Sequence, residues 1–452
     1  MDTPQATGTS LLEDPQAQSL LADATVTAGQ VQGSRQRLEH FLKRYLPWFY
    51  RKEQRQNARI VVEGLLSGLE RKTAEPIARE HGVPRKPIQF FVGSGLWDDE
   101  AVMAELRRHV VEAMAAPDGA LVFDPSAFPK KGTHSCGVAR TWCGRLGKME
   151  NCQVGLFLAY ASARGQAPLD RRLYLPKDWV ADPVRRAECH IPAEVGFQQR
   201  WAMALDMLDA HGPSVPHRWV VADDEFGRVQ AFREALRQRQ EAYVLDVPCS
   251  TKVRDLQARR PPRKPGSKSR RRVVPFQRAE QWAAAQPANG WRKIEVKDGQ
   301  KGPIRVQAIM TKVRTRQDQR LGPEEWLLAI RSSQPEPGQA EISHHLAWSP
   351  QAPTLEEAVA ARGHRHQIEQ MFQHGKGEAG LDHYEVRSYV GWHHHMTLSL
   401  LALWFLCLER RSQEKNAGRN GTPGARDTQP AVATAAAQPA IHCAGSHCGV
   451  DS

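Results

Sequence analysis

The sequence predicts a mixed α/β fold, with a helical unit in front of it and a β-rich insertion within it. The evidence is a change in the spacing of apolar residues along the chain. From Ser34 to Ala116 they recur at every third or fourth position, which is typical of packed helices. At Ala120 short apolar runs begin to alternate with helical stretches, as in a sheet flanked by helices.

The predicted elements of the α/β part follow in chain order. Strands are predicted at 120–123, 151–160, 218–222 and 242–245, and helices at 192–210, 355–376 and 392–408. After Lys252 the chain becomes basic and Pro-rich, and then strand-like at Ile304–Ile309 and Trp326–Ile330. We therefore interpret 252–346 as the insertion.

The helical unit contains a candidate DNA-binding motif. Ala74–Val83 followed by Arg85, Lys86 and Gln89 has the helix, glycine turn, helix pattern of a helix-turn-helix. A helical hairpin that packs against the rest of the protein without binding DNA would show the same sequence pattern. Arg85 and Lys86 are the candidate DNA contacts.

At 452 residues the chain is too long for one ordinary core. Both ends lack sustained apolar periodicity, and we expect them to be disordered. The predicted division is 1–33 disordered, 34–116 helical DNA-binding domain, 117–251 first part of the core, 252–346 insertion, 347–410 last part of the core and 411–452 disordered.

The net charge favours a polyanionic partner. The chain has 62 Lys and Arg against 50 Asp and Glu, a formal charge of +12, which suits nucleic acid or an acidic membrane surface. Its longest apolar stretch, Met396–Leu408, is shorter than the roughly 20 residues that cross a bilayer. The eight cysteines are scattered and no secretory signal is evident, so we expect reduced thiols and a cytoplasmic protein.

Three acidic residues are candidate metal ligands. Asp124 and Asp223 each follow a short apolar run, where open α/β sheets place their sites, and Glu369 lies on a predicted helix. Clustered carboxylates repel one another unless cations neutralise them, and oxygen ligands favour Mg²⁺ or Mn²⁺. Two such ions could activate water or a 3′-hydroxyl against a phosphodiester. Many acids end strands for other reasons, and Asp246, which shows the same pattern, is assigned no catalytic role.

Basic residues flank these acids. Lys130 and Lys131 follow Asp124 in a turn, and helical spacing places Arg365 and Lys376 near the face of Glu369. They could neutralise phosphate without reading sequence. Solvated charges or ordinary ion pairs are the alternative.

The insertion carries a basic run with eight Lys or Arg in the fourteen residues 259–272. We favour a contact with the DNA backbone over a solvated loop. The candidate contacts within it are Arg263, Lys264, Arg270, Arg271 and Arg272. Trp282, Trp291 and Trp326 could stack on a splayed base, but core packing is favoured for each.

The remaining cysteine and histidine groups are given structural roles. Cys136, Cys143 and Cys152 lack the spacing of a zinc site and are expected to pack in the core. The run His393–His395 is expected to face solvent at a helix end.

Three segments together resemble the cut-and-paste DDE transposases of bacterial insertion sequences, specifically the insertion sequence 701 branch. The segments are Phe123–Gly155, Val220–Arg228 and Arg365–Arg387. In the second, the family has an Asp separated by two residues from an aromatic-Gly pair, and this spacing favours Asp223 over Asp224. Arg365, Glu369 and Lys376 match the third, whereas Arg362 stands where the family has Tyr and Ala127 where it has Gly.

This resemblance covers roughly residues 35–410 and implies an RNase H-like core interrupted by the insertion. It implies two Mg²⁺ ions, for which Mn²⁺ can substitute, held by Asp124, Asp223 and Glu369. The implied partners are double-stranded DNA at transposon ends and target, and a second copy of the chain as a homodimer. The alternatives are an inactive DNA-binding relic and a metal-dependent nuclease without strand transfer.

Overall fold

The computed structural model describes residues 28–260, 273–299, 302–333 and 342–419. The predicted DNA contacts Arg263, Lys264, Arg270, Arg271 and Arg272 lie outside these residues.

Within the described residues five α-helices precede the sheet, and each of them contributes buried apolar side chains to the main core. They are α1 (Ala28–Tyr45), α2 (Lys52–Leu66), α3 (Ala74–Glu80), α4 (Arg85–Gly93) and α5 (Asp99–Met114). The turn between α3 and α4 passes through Gly82 at a φ of +62°, a conformation that glycine adopts without steric cost. The predicted helix, glycine turn, helix geometry is therefore present.

Twelve strands of the described part form one mixed sheet. They are β1 (Ala120–Pro129), β2 (Ala139–Cys143), β3 (Lys148–Ser162), β4 (Gly165–Leu173), β5 (Trp219–Ala222), β6 (Ala242–Asp246), β7 (Lys252–Asp255), β8 (Gln277–Arg278), β9 (Arg292–Gly299), β10 (Gly302–Gln317), β11 (Arg320–Ser332) and β12 (Ser343–Trp348). β1 pairs in parallel with β5, and β5 with β6, whereas β3 and β4 extend the sheet antiparallel on the other side of β1.

Eight further α-helices of the described ranges accompany the sheet. They are α6 (Lys177–Ala181), α7 (Pro183–Glu188), α8 (Arg200–His211), α9 (Asp224–Gly227), α10 (Gln230–Gln238), α11 (Ala279–Ala284), α12 (Leu355–Glu378) and α13 (Tyr389–Arg419). The fold class is confirmed as a mixed α/β sheet with flanking helices, of RNase H-like type. The helix expected from residue 192 begins at Arg200, so its predicted start was wrong. The strands β2 and β4 were not predicted.

The β-rich segment continues the central sheet. β12 pairs antiparallel with β6, and β11, β10 and β7 follow outward. Trp282 and Trp291 are buried in a small apolar cluster of this segment, and the indole N–H of Trp282 donates to Asp255 Oδ2 at 2.8 Å. These two tryptophans therefore have the packing role that was favoured for them.

The first and last helices extend into segments expected to be disordered. α1 begins at Ala28 and α13 ends at Arg419, so the prediction was wrong for 28–33 and 411–419. One physical reason is mutual support between the two helices. Arg37 Nε donates to Glu409 Oε1 at 2.7 Å, and Ser34 Oγ to Glu409 Oε2 at 3.1 Å.

The histidine run does not face solvent, and that expectation was wrong. α13 passes between β4 and the N-terminal helices, which cover its beginning. The His394 ring stacks on Trp97 with centroids 3.9 Å apart, and His395 Nε2 lies 3.0 Å from the Gly380 carbonyl. Among the residues that the structure describes, no helix is long and apolar enough to span a membrane.

Candidate active site

Register places three aspartates side by side at one edge of the sheet. Phe123 on β1 pairs with Ala222 on β5, and Ala222 pairs with Leu245 on β6. The next residues on the three parallel strands are Asp124, Asp223 and Asp246. β1 itself continues to Pro129 along β3 alone, so the prediction that a strand ends at Asp124 was wrong. It is β5 that ends there.

Asp124 and Asp223 lie in a setting that disfavours negative charge. Burial raises the pKa of Asp124 to about 6, and Arg365 opposes the shift while Glu369 adds to it. Burial likewise raises the pKa of Asp223 to about 7, with further contributions from Glu225 and Asp124. Both carboxylates are thus poorly neutralised by the protein itself, and a bound cation would favour their charged forms.

The residues after β5 distinguish Asp223 from Asp224. Asp223 Oδ1 accepts the backbone N–H of Glu225 at 3.0 Å and caps α9, and its carboxyl group feels the charge of Asp124. Asp224 forms an ion pair with Arg228 on the exposed side. Glu225, an acid that the sequence analysis did not consider, forms an ion pair with Arg200 and raises the pKa of Asp124 and of Asp223.

Glu369 reaches the same region from α12, which packs against β1, β5 and β6. Its Oε1 atom lies 2.6 Å from Arg365 Nη2. Arg365 Nη1 donates to Asp246 Oδ2 at 2.8 Å. Arg365 therefore bridges the end of β6 and the exposed carboxylate of Glu369.

The predicted phosphate-binding lysines differ in their surroundings. Lys376 is half-buried near Asp124, and burial lowers its pKa. Lys131 is exposed in the turn after β1. Lys130 instead contacts Tyr384: its Nζ atom lies 3.1 Å from the centre of the Tyr384 ring and donates to the Tyr384 carbonyl at 3.0 Å. Burial lowers the pKa of Lys130 to about 8.

Arg85 and Lys86 stand exposed on the first turn of α4, in the helical unit. Arg85 Nη1 lies 3.0 Å from Glu75 Oε2 on α3. These two residues lie on a different element from the carboxylates. Of the predicted site residues, the structure therefore brings together Asp124, Asp223, Glu369, Arg365 and Lys376.

The donor chemistry at the edge of the sheet fits a hard divalent cation. Its groups are carboxylate oxygens, and the pKa values of Asp124 and Asp223 are raised first by burial and then by neighbouring carboxylates, whose charge a dication would offset. Glu369 is engaged by Arg365. Within the described ranges, no group of three or more His, Cys, Asp or Glu side chains is already arranged to hold a metal ion.

Fold and site define an RNase H-like α/β protein with an acidic centre at the carboxyl ends of its parallel strands. Residues 44–303 match the model of the DDE superfamily endonuclease family, and the chain belongs to that family. The matched part includes Asp124 and Asp223 and ends before Glu369. The predicted membership of the DDE superfamily is confirmed, while the insertion sequence 701 branch stays a prediction.

Comparisons with solved structures and with curated proteins do not define the family further. The chain is similar to piggyBac transposase in a cryo-EM structure of its synaptic complex with hairpin DNA, with 12% sequence identity and a TM-score of 0.34. The similarity covers 83% of this chain and 78% of that one. A TM-score of this size does not establish a common fold. No curated protein matches the chain in sequence.

Proposed function

We propose that this protein is a cut-and-paste DNA transposase of the insertion sequence 701 branch, which cleaves transposon ends and joins them to target DNA. One observation carries the proposal. Asp124 and Asp223 end up as neighbours through strand register, and α12 brings Glu369 and Arg365 to the same edge of the sheet. Family membership supports the same class of reaction.

In this proposal Asp124, Asp223 and Glu369 hold two Mg²⁺ ions, for which Mn²⁺ can substitute. Such ions, when bound, activate the attacking hydroxyl or water and stabilise the leaving oxygen of a phosphodiester. Arg365 and Lys376 supply positive charge beside the carboxylates, and this charge offsets that of the DNA backbone. Lys131 extends this positive surface along the DNA.

Lys130 has a different role from the one expected of it. Its ammonium group is held by the ring and carbonyl of Tyr384, in the loop after α12. We assign it to holding that loop against the turn after β1. A phosphate contact by Lys130 would require that it leave both partners.

The partners are double-stranded DNA and a second copy of the chain. Arg85 and Lys86 of the helical unit, with Arg263, Lys264, Arg270, Arg271 and Arg272 of the basic run, bind the DNA backbone beyond the cleavage site. Two ends must be held together for coupled cleavage and joining, which favours a homodimer. We place the protein in the bacterial cytoplasm, on the nucleoid when bound.

The proposal is tested with labelled DNA that carries the terminal repeats flanking the gene. Wild type, Glu369→Gln and the control Glu378→Gln are incubated with Mg²⁺, and cleavage and joining are scored separately. Glu378 is a matched control because it lies on the same helix, is equally exposed (45% against 44%) and is paired with an arginine, Arg410.

We expect wild type and Glu378→Gln to cleave and join, and Glu369→Gln to bind DNA without cutting it. Cleavage without joining by wild type would instead identify a nuclease. Binding without cutting by all three proteins would identify an inactive DNA-binding relic.

A further inference from the structure

A polar chain beside the candidate active site connects the β-rich insertion to Glu369. His345 on β12 lies directly opposite Asp246 on β6 in the antiparallel register. His345 Nδ1 is 2.6 Å from Asp246 Oδ1, and the other oxygen, Oδ2, accepts from Arg365 Nη1 at 2.8 Å. Arg365 Nη2 then lies 2.6 Å from Glu369 Oε1.

We propose that Asp246 and His345 are positioning residues, which fix the orientation of Arg365 and thereby limit how strongly Arg365 pairs with the carboxylate of Glu369. The inference rests on the proposed function, because it takes Glu369 as a metal ligand. It gives a role to an aspartate that shares the row of Asp124 and Asp223.

The hydrogen-bond directions follow from the chemistry of the groups. An ionised Asp246 can only accept, so His345 Nδ1 donates to it, and His345 Nε2 lies 2.9 Å from the Ser343 hydroxyl oxygen. The imidazole is fully buried on β12 and has little room to turn. Asp246 is therefore held from the side of the insertion.

Asp246 in turn restricts Arg365. The guanidinium group is a rigid planar fork, so fixing Nη1 on Asp246 also sets the direction of Nη2 toward Glu369. Because Asp246 is occupied on one oxygen by His345 and on the other by Arg365, it is not available as a further metal ligand. This distinguishes it from Asp124 and Asp223 in the same row.

Loss of the Asp246 charge changes the competition between Arg365 and a metal ion for the Glu369 carboxylate. Arg365 would keep only one carboxylate partner and could turn both terminal nitrogens onto Glu369, as arginine does in bidentate pairs. A metal ion would then have to displace a stronger ion pair. The expected consequence is weaker metal binding that depends on the presence of Arg365.

The test measures Mn²⁺ affinity of the full-length protein by titration calorimetry. Asp246→Asn preserves the shape of the side chain, and we expect it to weaken Mn²⁺ binding about tenfold, the low end of the range for groups that orient metal ligands. His345→Ala, a second variant, is expected to shift the affinity in the same direction. Asp209→Asn is the control, because Asp209 Oδ1 pairs with Arg239 Nε at 2.7 Å on α8, and we expect no change.

A double-mutant cycle separates positioning from a merely structural role. In an Arg365→Ala background, adding Asp246→Asn should have no further effect on Mn²⁺ affinity, since Arg365 is the intermediary. Equal effects in both backgrounds, or unchanged affinity in Asp246→Asn, would overturn the inference. Absence of Mn²⁺ binding by the wild type would overturn the proposed metal site itself, and the two failures are therefore distinguishable. Melting temperatures of all variants show whether each is folded.

Discussion

Carboxylates that are buried next to one another make metal-free protein sensitive to pH. The pKa of Asp223 is raised from 3.8 to about 7 in the folded chain. Between these values the folded protein keeps a proton that the unfolded chain has released. The unfolded state thus binds fewer protons, and stability falls as the pH rises from about 4 to about 7.

Asp223→Asn should remove this dependence, because an amide does not ionise and Asn caps a helix about as well as Asp. With a chelator present, we expect the variant to match wild type near pH 4 and to exceed its free energy of unfolding at pH 8 by an amount on the order of 4 kcal/mol. Denaturant unfolding at the two pH values measures this. A difference that is the same at both pH values would contradict the assignment of a raised pKa to Asp223.

Pattern and resemblance in the sequence predicted Asp124, Asp223 and Glu369 as the metal ligands. It could not assign Asp246, because the partners that set its role, His345 and Arg365, are 99 and 119 residues away in the chain. Nor could it show that Lys130 lies on Tyr384, 254 residues on. Whether a charged side chain is free or engaged depends on such distant contacts.

Close packing of α9 against β6 keeps the row of aspartates together. A Cβ atom added to Gly227, at the end of α9, would lie 1.9 Å from the backbone oxygen of Asp246. Backbone cannot move aside as a flexible side chain can. The helix that follows Asp223 can therefore lie at this distance from β6 only with glycine at this position.

We expect Gly227→Ala to destabilise the protein by about 1–3 kcal/mol, the usual cost of overpacking. It should also weaken metal-dependent activity, since Asp223 and Asp246 would be pushed apart. Gly196→Ala is the matched control, because a Cβ there meets nothing within 4 Å. Thermal unfolding compares the two, and equal melting temperatures would contradict the close approach as a structural constraint.

Local patterns in the sequence predicted where strands and helices form better than they predicted which strands pair. The apolar runs before Asp124 and Asp223 indicated β1 and β5, and the helical spacing around Glu369 indicated α12. That β12 pairs with β6 depends on contacts across the whole insertion, which periodicity does not encode. The histidine run at 393–395 was misjudged for the same reason, because helices from the other end of the chain cover it.

For the whole molecule, the formal charge of +12 bears on DNA affinity. Each phosphate that a Lys or Arg neutralises releases counterions, so affinity falls linearly with salt on logarithmic axes. If the basic run contacts DNA, replacing Arg270, Arg271 and Arg272 by Ala should lower the slope by up to about 3, at about 0.9 per lost contact.

Binding isotherms at several salt concentrations give that slope. Arg239→Ala serves as the control, because Arg239 is an exposed arginine already paired with Asp209. An unchanged slope in the triple variant would assign the basic run to solvent, the alternative left open by the sequence.

A crystal of the protein bound to end DNA and grown with Mn²⁺ shows whether Asp124, Asp223 and Glu369 form one metal centre. Anomalous scattering locates the ions without reference to the protein atoms. We predict two peaks about 3.5–4 Å apart, with all three carboxylates as ligands and Glu369 released from Arg365. Peaks that lack any of these carboxylates as a ligand, or the absence of peaks at this edge of the sheet, would contradict a metal centre formed by the three residues.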